Sequence, residues 1–354
     1  MTIKKNTKYA EVSSFVIDYI KTNNLQTGEM LPSETQLASM LNMSRITVRR
    51  AIGDLEESGL VNRVQGSGTY VSSKCENKTT THYVPLILYG DDNSNIPLDI
   101  IRGANNFLFD NSCYLTVHFN NRNLRTEREI VNKLIDDGSR CIVIWPCTDN
   151  DPDDYFFRLV QRGVKFVFID RIPANVSANV VLSDNLNGGY MATKHLIENG
   201  CKKIAFIEDV HLAHSQKLRF DGYRMALEDS GIGYSEEYAF LNVNADTTFF
   251  DRLMNLPVPP DGIFGCHDDI AINAVSYFSE RSIAVPDDVA VIGFDNMPAT
   301  SNLSISTIEQ QFYNIGYEAA EIAFNILNGF DIYDVHKYLP TKVIQRNSSA
   351  KRNQ

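Results

Sequence analysis

The sequence has no run approaching the roughly 18 apolar residues that a membrane span requires, so no transmembrane helix is expected. Its opening stretch, MTIKKNTKYAEV, is basic but lacks the apolar core of a signal peptide behind it, and a cytoplasmic protein is expected. The six cysteines, at positions 75, 113, 141, 147, 201 and 266, show no CxxC spacing and no companion histidines at zinc-ligand intervals. They read as small reduced hydrophobes rather than metal or redox groups. No nucleophile elbow, P-loop or GxGxxG after a strand appears. Asp91-Asp92 and Asp268-Asp269 are adjacent carboxylates and His267 is a candidate base, but neighbouring acids need not form an acid/base couple. They read as solvated helix-start charges. An enzyme is therefore not expected, and neither a cofactor nor a metal. Internal repeats and low-complexity tracts are also missing.

Basic charge is scarce overall, with a net charge of −11, which at first argues against a nucleic-acid partner. Its distribution argues otherwise. Residues 1–74 carry nine Lys/Arg against seven Asp/Glu, and the rest of the chain 24 against 37. A mildly basic head on an acidic body has the sign asymmetry of a DNA-reading module joined to something else. The 354 residues exceed one ordinary core, and 43% hydrophobic with 22% charged residues is a globular composition.

The head begins with YAEVSSFVIDYIKTNN, where Val12, Phe15, Val16, Tyr19 and Ile20 repeat at helical spacing. Ser33, with Gln36 three residues later, forms a capping box for a second helix. A short Asn42-Met43 turn leads to Ser44, the N-cap of a third helix over Arg45 to about Ser58, with Gly59 as its stop. Arg45, Thr47, Arg49 and Arg50 crowd the start of that helix. Two short helices and a tight turn, the second loaded with donors at its N-terminus, give helix-turn-helix geometry. Arginine suits guanine bidentately, and Thr or Ser suits bases or phosphate. Leu60–Val64 and Thr69–Val71 read as a hairpin around Gln65-Gly66-Ser67-Gly68, a wing whose glycines allow close backbone approach. The expected DNA contacts are Ser33, Thr35, Ser44, Arg45, Ile46, Thr47, Arg49, Arg50, Gln65, Gly66, Ser67, Gly68 and Thr69.

Through LPSE, SRITVRRAI, LEESGLV and QGSGTYV, residues 31–71 resemble the GntR-type winged helix-turn-helix. Gly53 inside the third helix departs from good helix propensity by roughly 1 kcal/mol. Close packing against the first helix would account for it. Residues 1–71 are taken as the winged domain, and the polar, aperiodic stretch 72–82 as a linker.

From Val84 onward apolar strands alternate with amphipathic helices: VPLILY, CYLTVHF, CIVIW, VKFVFI, NVVLSD, KKIAFI, GIFGC and VAVIGF, closed by a long helix over 311–328. That alternation predicts doubly wound parallel α/β sheets, and its length suits two lobes with a cleft. Helices are expected from Leu98, Leu124, near Tyr155, and from Asn187, Lys217 and Asp268. Residues 83–346 resemble the LacI-family effector domain, related to periplasmic sugar-binding proteins of type I. The resemblance rests on GCHDDIAINAVSYFSERSIAVPDDVAVIGFDN, on SDNLNGGYMATKHLIENGCKKIAFI and on RFDGYRMAL. A GntR-type head on a LacI-type sensor is the arrangement of arabinose-repressor-like regulators. Residues 347–354 read as a polar tail.

Sugar sites use planar charged groups that bond hydroxyls bidentately, with an aromatic against the ring face. The resemblance implies ligand contacts at Arg219 and Asp295, with Ser215 one turn before Arg219. It also places His267 where the family usually has a ligand-binding Asn, followed by Asp269. In the other lobe Tyr89 and Asp91 follow the first strand, and Trp145 and Thr148 the third. Each has a plain structural alternative: cleft ion pairs for Arg219 and Asp295, a helix cap for His267, buried packing for Trp145. Asp268 reads as an N-terminal helix charge or a backbone anchor rather than a ligand contact, and Arg171 is open between structural and ligand-binding roles.

The expectation is a ligand-responsive repressor of a carbohydrate-utilisation operon. A homodimer would present two winged helices to palindromic operator DNA and be released by a neutral pentose or deoxyhexose such as arabinose or fucose. The competing readings are a solute-binding protein of a transport system and a sugar-modifying enzyme.

Overall fold

Internal contacts divide the chain into two units, Met1–Thr81 and His82–Gln354. The computed structural model describes residues 8–23, 25–57, 59–64, 66–72, 83–90, 98–150, 152–209 and 214–350. Gln65, Asp91 and Asp92 lie outside them.

The first unit contains α1 (Lys8–Thr22), α2 (Glu34–Met40), α3 (Arg45–Glu57) and a hairpin of β1 (Val61–Val64) and β2 (Gly68–Val71). The helical repeat buries Val12, Val16, Leu37, Val48, Ile52 and Leu55 in one core. Ser33 and Gln36 form the capping box: Gln36 N–H donates to Ser33 Oγ at 3.3 Å and Ser33 N–H to Gln36 Oε1 at 2.8 Å. Asn42 turns the chain between α2 and α3 at φ 51°, a left-handed position that Asn tolerates. The strand pairing is antiparallel, from Val61 opposite Val71 to Val64 opposite Gly68. Leu31 N–H donates to Thr69 O at 2.8 Å, extending the wing by one more contact. Gly53 departs from expectation. A Cβ there would meet nothing within 4 Å, so close packing against α1 does not explain it.

In the second unit two six-stranded sheets carry the two periods of burial. Lobe 1 holds β3 (Tyr83–Leu88), β4 (Tyr114–Phe119), β5 (Cys141–Ile144), β6 (Lys165–Ile169), β7 (Asn179–Ser183) and β13 (His336–Leu339), in the order β13-β7-β6-β5-β3-β4. Lobe 2 holds β8 (Ile204–Ile207), β9 (Ala239–Phe240), β10 (Gly262–Gly265), β11 (Ala290–Asp295), β12 (Ser306–Glu309) and β14 (Lys342–Ile344), in the order β14-β12-β11-β10-β8-β9. All pairings are parallel except β12 with β14. Parallel strands covered on both faces read as continuous apolar runs, as in IAFI and CIVI. Lobe 1 is covered by α4 (Leu98–Asp110), α5 (Leu124–Asp136), α6 (Tyr155–Gln161) and α12 (Phe312–Leu327). Lobe 2 is covered by α7 (Asn185–Glu198), α8 (His214–Asp229), α9 (Thr247–Met254), α10 (Asp268–Glu280) and the short α11 (Pro298–Asn302). Burying each core phenylalanine such as Phe206 or Phe264 contributes about 1.5–3 kcal/mol.

Three expectations need correction. Two helices start earlier than expected, at Asn185 and His214, because Asp184 and not a later residue caps the first of them. The sheet series does not close at the long helix, since β13 and β14 follow it, one in each lobe. Residues 347–349 are a 3-10 turn with Ser348 and Ser349 buried, and not a tail. Ser348 Oγ donates to Val291 O at 2.6 Å and accepts from Ser306 N–H at 2.8 Å, and Ser349 Oγ lies 2.7 Å from His195 Nε2. Short hydroxyls there take the backbone bonds that another strand would otherwise supply. Cys141, Cys147 and Cys266 are thiols outside any disulfide, and no helix among the described residues is long and apolar enough to cross a membrane.

Candidate DNA-reading head and effector cleft

At the start of α3, Ser44 Oγ accepts from Thr47 N–H at 3.2 Å and lies 2.8 Å from Thr47 Oγ1. Both hydroxyls are therefore already oriented by the cap, with Thr47 half-buried. Arg45, Arg49 and Arg50 stay exposed on the same helix. Ile46 is 79% exposed, an apolar side chain left outside the core on the first turn. That combination suits a groove, where guanidinium groups meet guanine edges and an aliphatic tip meets a thymine methyl. Arg49 Nε donates to Glu34 Oε2 at 3.0 Å, and Arg63 of β1 donates through NH2 to Arg49 O at 2.6 Å. α2, α3 and the wing are thus tied at the base of the reading surface. Ser33 and Thr35 are exposed at the α2 start, Ser33 as its cap. In the wing Gly66, Ser67 and Gly68 are exposed and Thr69 half-buried. Gly66 and Gly68 sit at φ 77° and 149°, the tight turn that brings this backbone outward.

In lobe 2 the candidate contacts gather at the carboxyl ends of parallel strands, where α/β ligands bind. Arg219, 4% exposed on α8, donates through Nε to Asn185 Oδ1 at 2.8 Å and through NH1 to Cys266 O at 2.6 Å. Its guanidinium lies 3.7 Å from the Phe294 ring centroid and 3.6 Å from Asp295 Oδ1. These contacts fix the orientation of the guanidinium beside Asp295. Ser215 is buried four residues earlier. Asp295 stands at φ 118°, a strained position for a side chain with a Cβ, costing about 1–3 kcal/mol. The next residues pin it there. Asn296 N–H donates to Thr307 Oγ1 at 3.2 Å, Arg346 NH2 to Asn296 Oδ1 at 2.7 Å, and Met297 N–H to Asp268 Oδ2 at 2.7 Å. Asp268 is thus the backbone anchor, 1% exposed, and also accepts from Thr307 Oγ1 at 2.6 Å. Burial, then the Asp295 charge, pushes its pKa up to about 8 against those two hydrogen bonds. Burial also raises the Asp295 carboxyl, opposed by Arg219, His267 and Gln310.

His267 occupies the N-cap position of α10 but its side chain makes no cap bond. Its Nε2 instead lies 2.8 Å from Asp209 Oδ2, and Gln216 Nε2 donates to Asp209 Oδ1 at 3.2 Å. Burial draws the imidazole pKa down, but the Asp209 hydrogen bond and charge, with Asp295 and Asp269, hold it above its ordinary value. Asp269 itself is exposed. Asp209, Cys266 and His267 bring three donor atoms within 4.8 Å of one another. The Cys266 thiol is buried and held protonated by desolvation, and the Arg219 guanidinium sits on its carbonyl. A metal cation would have to share that space with a fixed positive charge, so the cluster suits hydroxyl hydrogen bonding better.

Lobe 1 contributes an aromatic and cationic wall. The Tyr89 ring lies 6.1 Å from Trp145, with the Arg171 and Arg122 guanidiniums 4.9 and 5.5 Å from its centroid. Trp145 packs partly into the lobe 1 core, yet its Nε1 is buried without a partner among the described residues. Asn120 Nδ2 donates to Trp145 O at 3.1 Å and to buried Glu127 at 3.0 Å, and Cys147 N–H donates to the same Glu127 oxygen at 2.6 Å. Thr148 Oγ1 accepts from Asn150 N–H at 3.1 Å, a turn contact. Arg171 donates through Nε to Asp170 at 3.1 Å and through NH1 to Cys147 O at 3.4 Å. Asp149 reaches the other lobe, its Oδ2 accepting from His214 N–H at 2.5 Å. The sequence reading passed over Asp209, Gln216, Asn185 and Asp149. Asp209 lies two residues beyond the end of β8, where α/β ligands bind, and was legible on that ground.

Residues 8–71 match the gntR family of bacterial regulatory proteins, and residues 193–349 a periplasmic binding protein-like domain. The arabinose metabolism transcriptional repressor of Geobacillus stearothermophilus is 25% identical over 358 residues, covering 97% of each chain. The transcriptional repressor PurR of Mannheimia succiniciproducens is 31% identical over 206 residues, covering 57% of this chain and 60% of its own. Among solved structures, the regulator CcpA of Lactococcus lactis superposes with a TM-score of 0.68 at 21% identity, over 76% of this chain and 99% of that one. The chain is thus a DNA-binding transcriptional regulator that joins a helix-turn-helix domain of the bacterial gntR family to a periplasmic-binding-protein-like domain.

Proposed function

We propose that the chain represses a carbohydrate-utilisation operon in the cytoplasm and releases its operator when a small neutral sugar, a pentose or deoxyhexose, binds between the lobes. The observation that carries this reading is the cleft chemistry. Arg219 and Asp295 offer a fixed cation and a carboxylate from lobe 2, His267 adds a donor or acceptor, and Tyr89 with Trp145 supplies an aromatic wall from lobe 1. Aldoses present hydroxyls that donate and accept, and ring faces that stack. The carboxylates Asp295, Asp269 and Asp209 disfavour a phosphorylated ligand. The likeness to an arabinose repressor over nearly the whole chain supports the same class. On this reading a homodimer sets two winged heads on a palindromic operator, and the sugar acts through its differential affinity for two lobe arrangements. A solute-binding protein of a transport system would need no gntR-type head.

The test is a mobility-shift titration on the DNA upstream of the chain's own gene, with L-arabinose, D-xylose, D-ribose, L-fucose, sugar phosphates and nucleobases added in turn. A shifted band dissolved by one neutral aldose is expected. Failure to bind at low salt would overturn the DNA reading, and release only by a phosphate ester or nucleobase would overturn the sugar.

A further inference from the structure

The chain passes between the lobes three times: at Asp184 after β7, at Gln310-Gln311 after β12, and at Pro340-Thr341 between β13 and β14. Any rotation of one lobe against the other is absorbed there. The crossings are tied to each other. Asp184 N–H donates to Leu339 O at 2.8 Å, and Gln311 Nε2 to Pro340 O at 3.0 Å.

One further set of bonds joins the crossings to the cleft, and it closes on itself. Ser183 Oγ donates to Gln310 Oε1 at 2.6 Å, and Gln310 Nε2 donates to Asp295 Oδ1 at 2.6 Å. Asp295 Oδ1 lies 3.6 Å from Arg219 NH1, Arg219 Nε donates to Asn185 Oδ1 at 2.8 Å, and Asn185 Nδ2 donates to Ser183 O at 3.1 Å. Ser183, Asn185, Arg219 and Gln310 are each 8% exposed or less. Water therefore does not readily replace a broken member, and a group left unpaired there is unfavourable. Gln310 is the member that lies on a crossing and touches the cleft carboxylate directly. Its amide has one workable orientation. Reversed, it would set its oxygen against the Asp295 carboxylate.

We infer that Gln310 is the positioning residue that converts occupancy of the Arg219–Asp295 pair into a change at the lobe crossings. A ligand hydroxyl that bonds Asp295 competes with the Gln310 amide for the same carboxylate. Gln310 must then shift or rebond, and Ser183, the last residue of β7 before the first crossing, moves with it. Gln310 serves coupling between cleft and hinge more than affinity for the ligand. The inference rests on the cleft being the effector site.

The experiment uses the full-length chain and its operator, with whichever of L-arabinose, D-xylose, D-ribose and L-fucose stabilises the wild type most in a thermal-shift panel. Gln310→Met keeps the length of the side chain and removes both hydrogen bonds, and Ser183→Ala removes one end of the relay. Three quantities are read: operator affinity without sugar, sugar affinity, and the ratio of operator affinities without and with saturating sugar. The first two should stay within about threefold in Gln310→Met while the ratio falls about tenfold, inside the usual range of coupling. Ser183→Ala should lower the ratio in the same direction, and the double variant should be no worse than Gln310→Met alone. An unchanged ratio, or a loss of sugar affinity as large as the loss of ratio, overturns the inference. A wild type that no aldose stabilises or releases overturns the cleft reading instead, and the inference falls with it.

Discussion

Asp268 shows how much of a buried acid's role lies in its bonds and how little in its charge. Its two oxygens hold Met297 N–H and Thr307 Oγ1, which fixes the loop that presents Asp295. With a folded pKa of about 8 against 3.8 for the free group, the folded chain keeps a proton that the unfolded chain gives up. This contribution is fully present below about pH 4 and is lost as pH rises to about 8. Asp268→Asn can keep both contacts without titrating. Its melting temperature relative to wild type should therefore rise steadily from pH 5 to pH 8, whereas parallel curves would sink this account. Asp268→Ala should be destabilised at every pH, by about 1–3 kcal/mol for each group left unpaired. The sequence left Asp268 between a solvated helix-start charge and a backbone anchor, since a carboxylate at a helix start serves either use, and its 1% exposure overturns the solvated reading. It could not identify Gln310 as a partner of Ser183, 127 residues away, because nothing local marks that contact.

Elements were legible where their period was long and clean. The strand–helix alternation gave both sheets of the sensor, and the capping box gave the start of α2. The two-residue β9 and three-residue β14 carry too little period to see, and strand order was invisible because neighbours are set by crossovers. Helix packing was also hidden. Gly189 of α7 faces the backbone of α8, and a Cβ there would lie 2.2 Å from Arg219 O and 2.7 Å from Arg219 Cα. Gly103 of α4 faces α12 in the same way, with a Cβ 1.9 Å from Tyr313 O. Backbone cannot yield as a side-chain tip can, so each helix pair would have to part. Overpacking of this kind costs about 1–3 kcal/mol and occasionally more. Gly189→Ala and Gly103→Ala should both lower the melting temperature. Only Gly189→Ala should also weaken stabilisation by the effector aldose, because it displaces the residue that carries the Arg219 guanidinium. Equal aldose response in the two variants would mean that α7 does not set the position of Arg219.

At the scale of the whole molecule the charge asymmetry acquires a physical meaning. Residues 1–74 carry an excess of only two positive charges, and the rest of the chain an excess of thirteen negative ones. Phosphate contacts supply most non-specific affinity, so a single head with this charge should hold DNA weakly, and the acidic remainder discourages stray binding. In the proposed homodimer, two heads at a fixed spacing would raise affinity without any added charge, and their spacing is what the proposed sugar would have to disturb. Arg49 tests this separation of tasks. It is exposed on the second turn of α3 and oriented by Glu34, while the candidate sugar contacts all belong to the other unit. A bidentate arginine–guanine pair discriminates by about 1–3 kcal/mol, and the proposed homodimer would lose two at once. Arg49→Ala should therefore weaken operator binding by roughly thirtyfold or more and flatten its preference over unrelated DNA. Thermal stabilisation by the effector aldose should stay at the wild-type value, because the ligand binds a folded unit that the substitution does not touch. Measured together on one preparation, a mobility shift and a thermal shift decide the matter: loss of both would show that the reading head and the sensor do not work as separable parts.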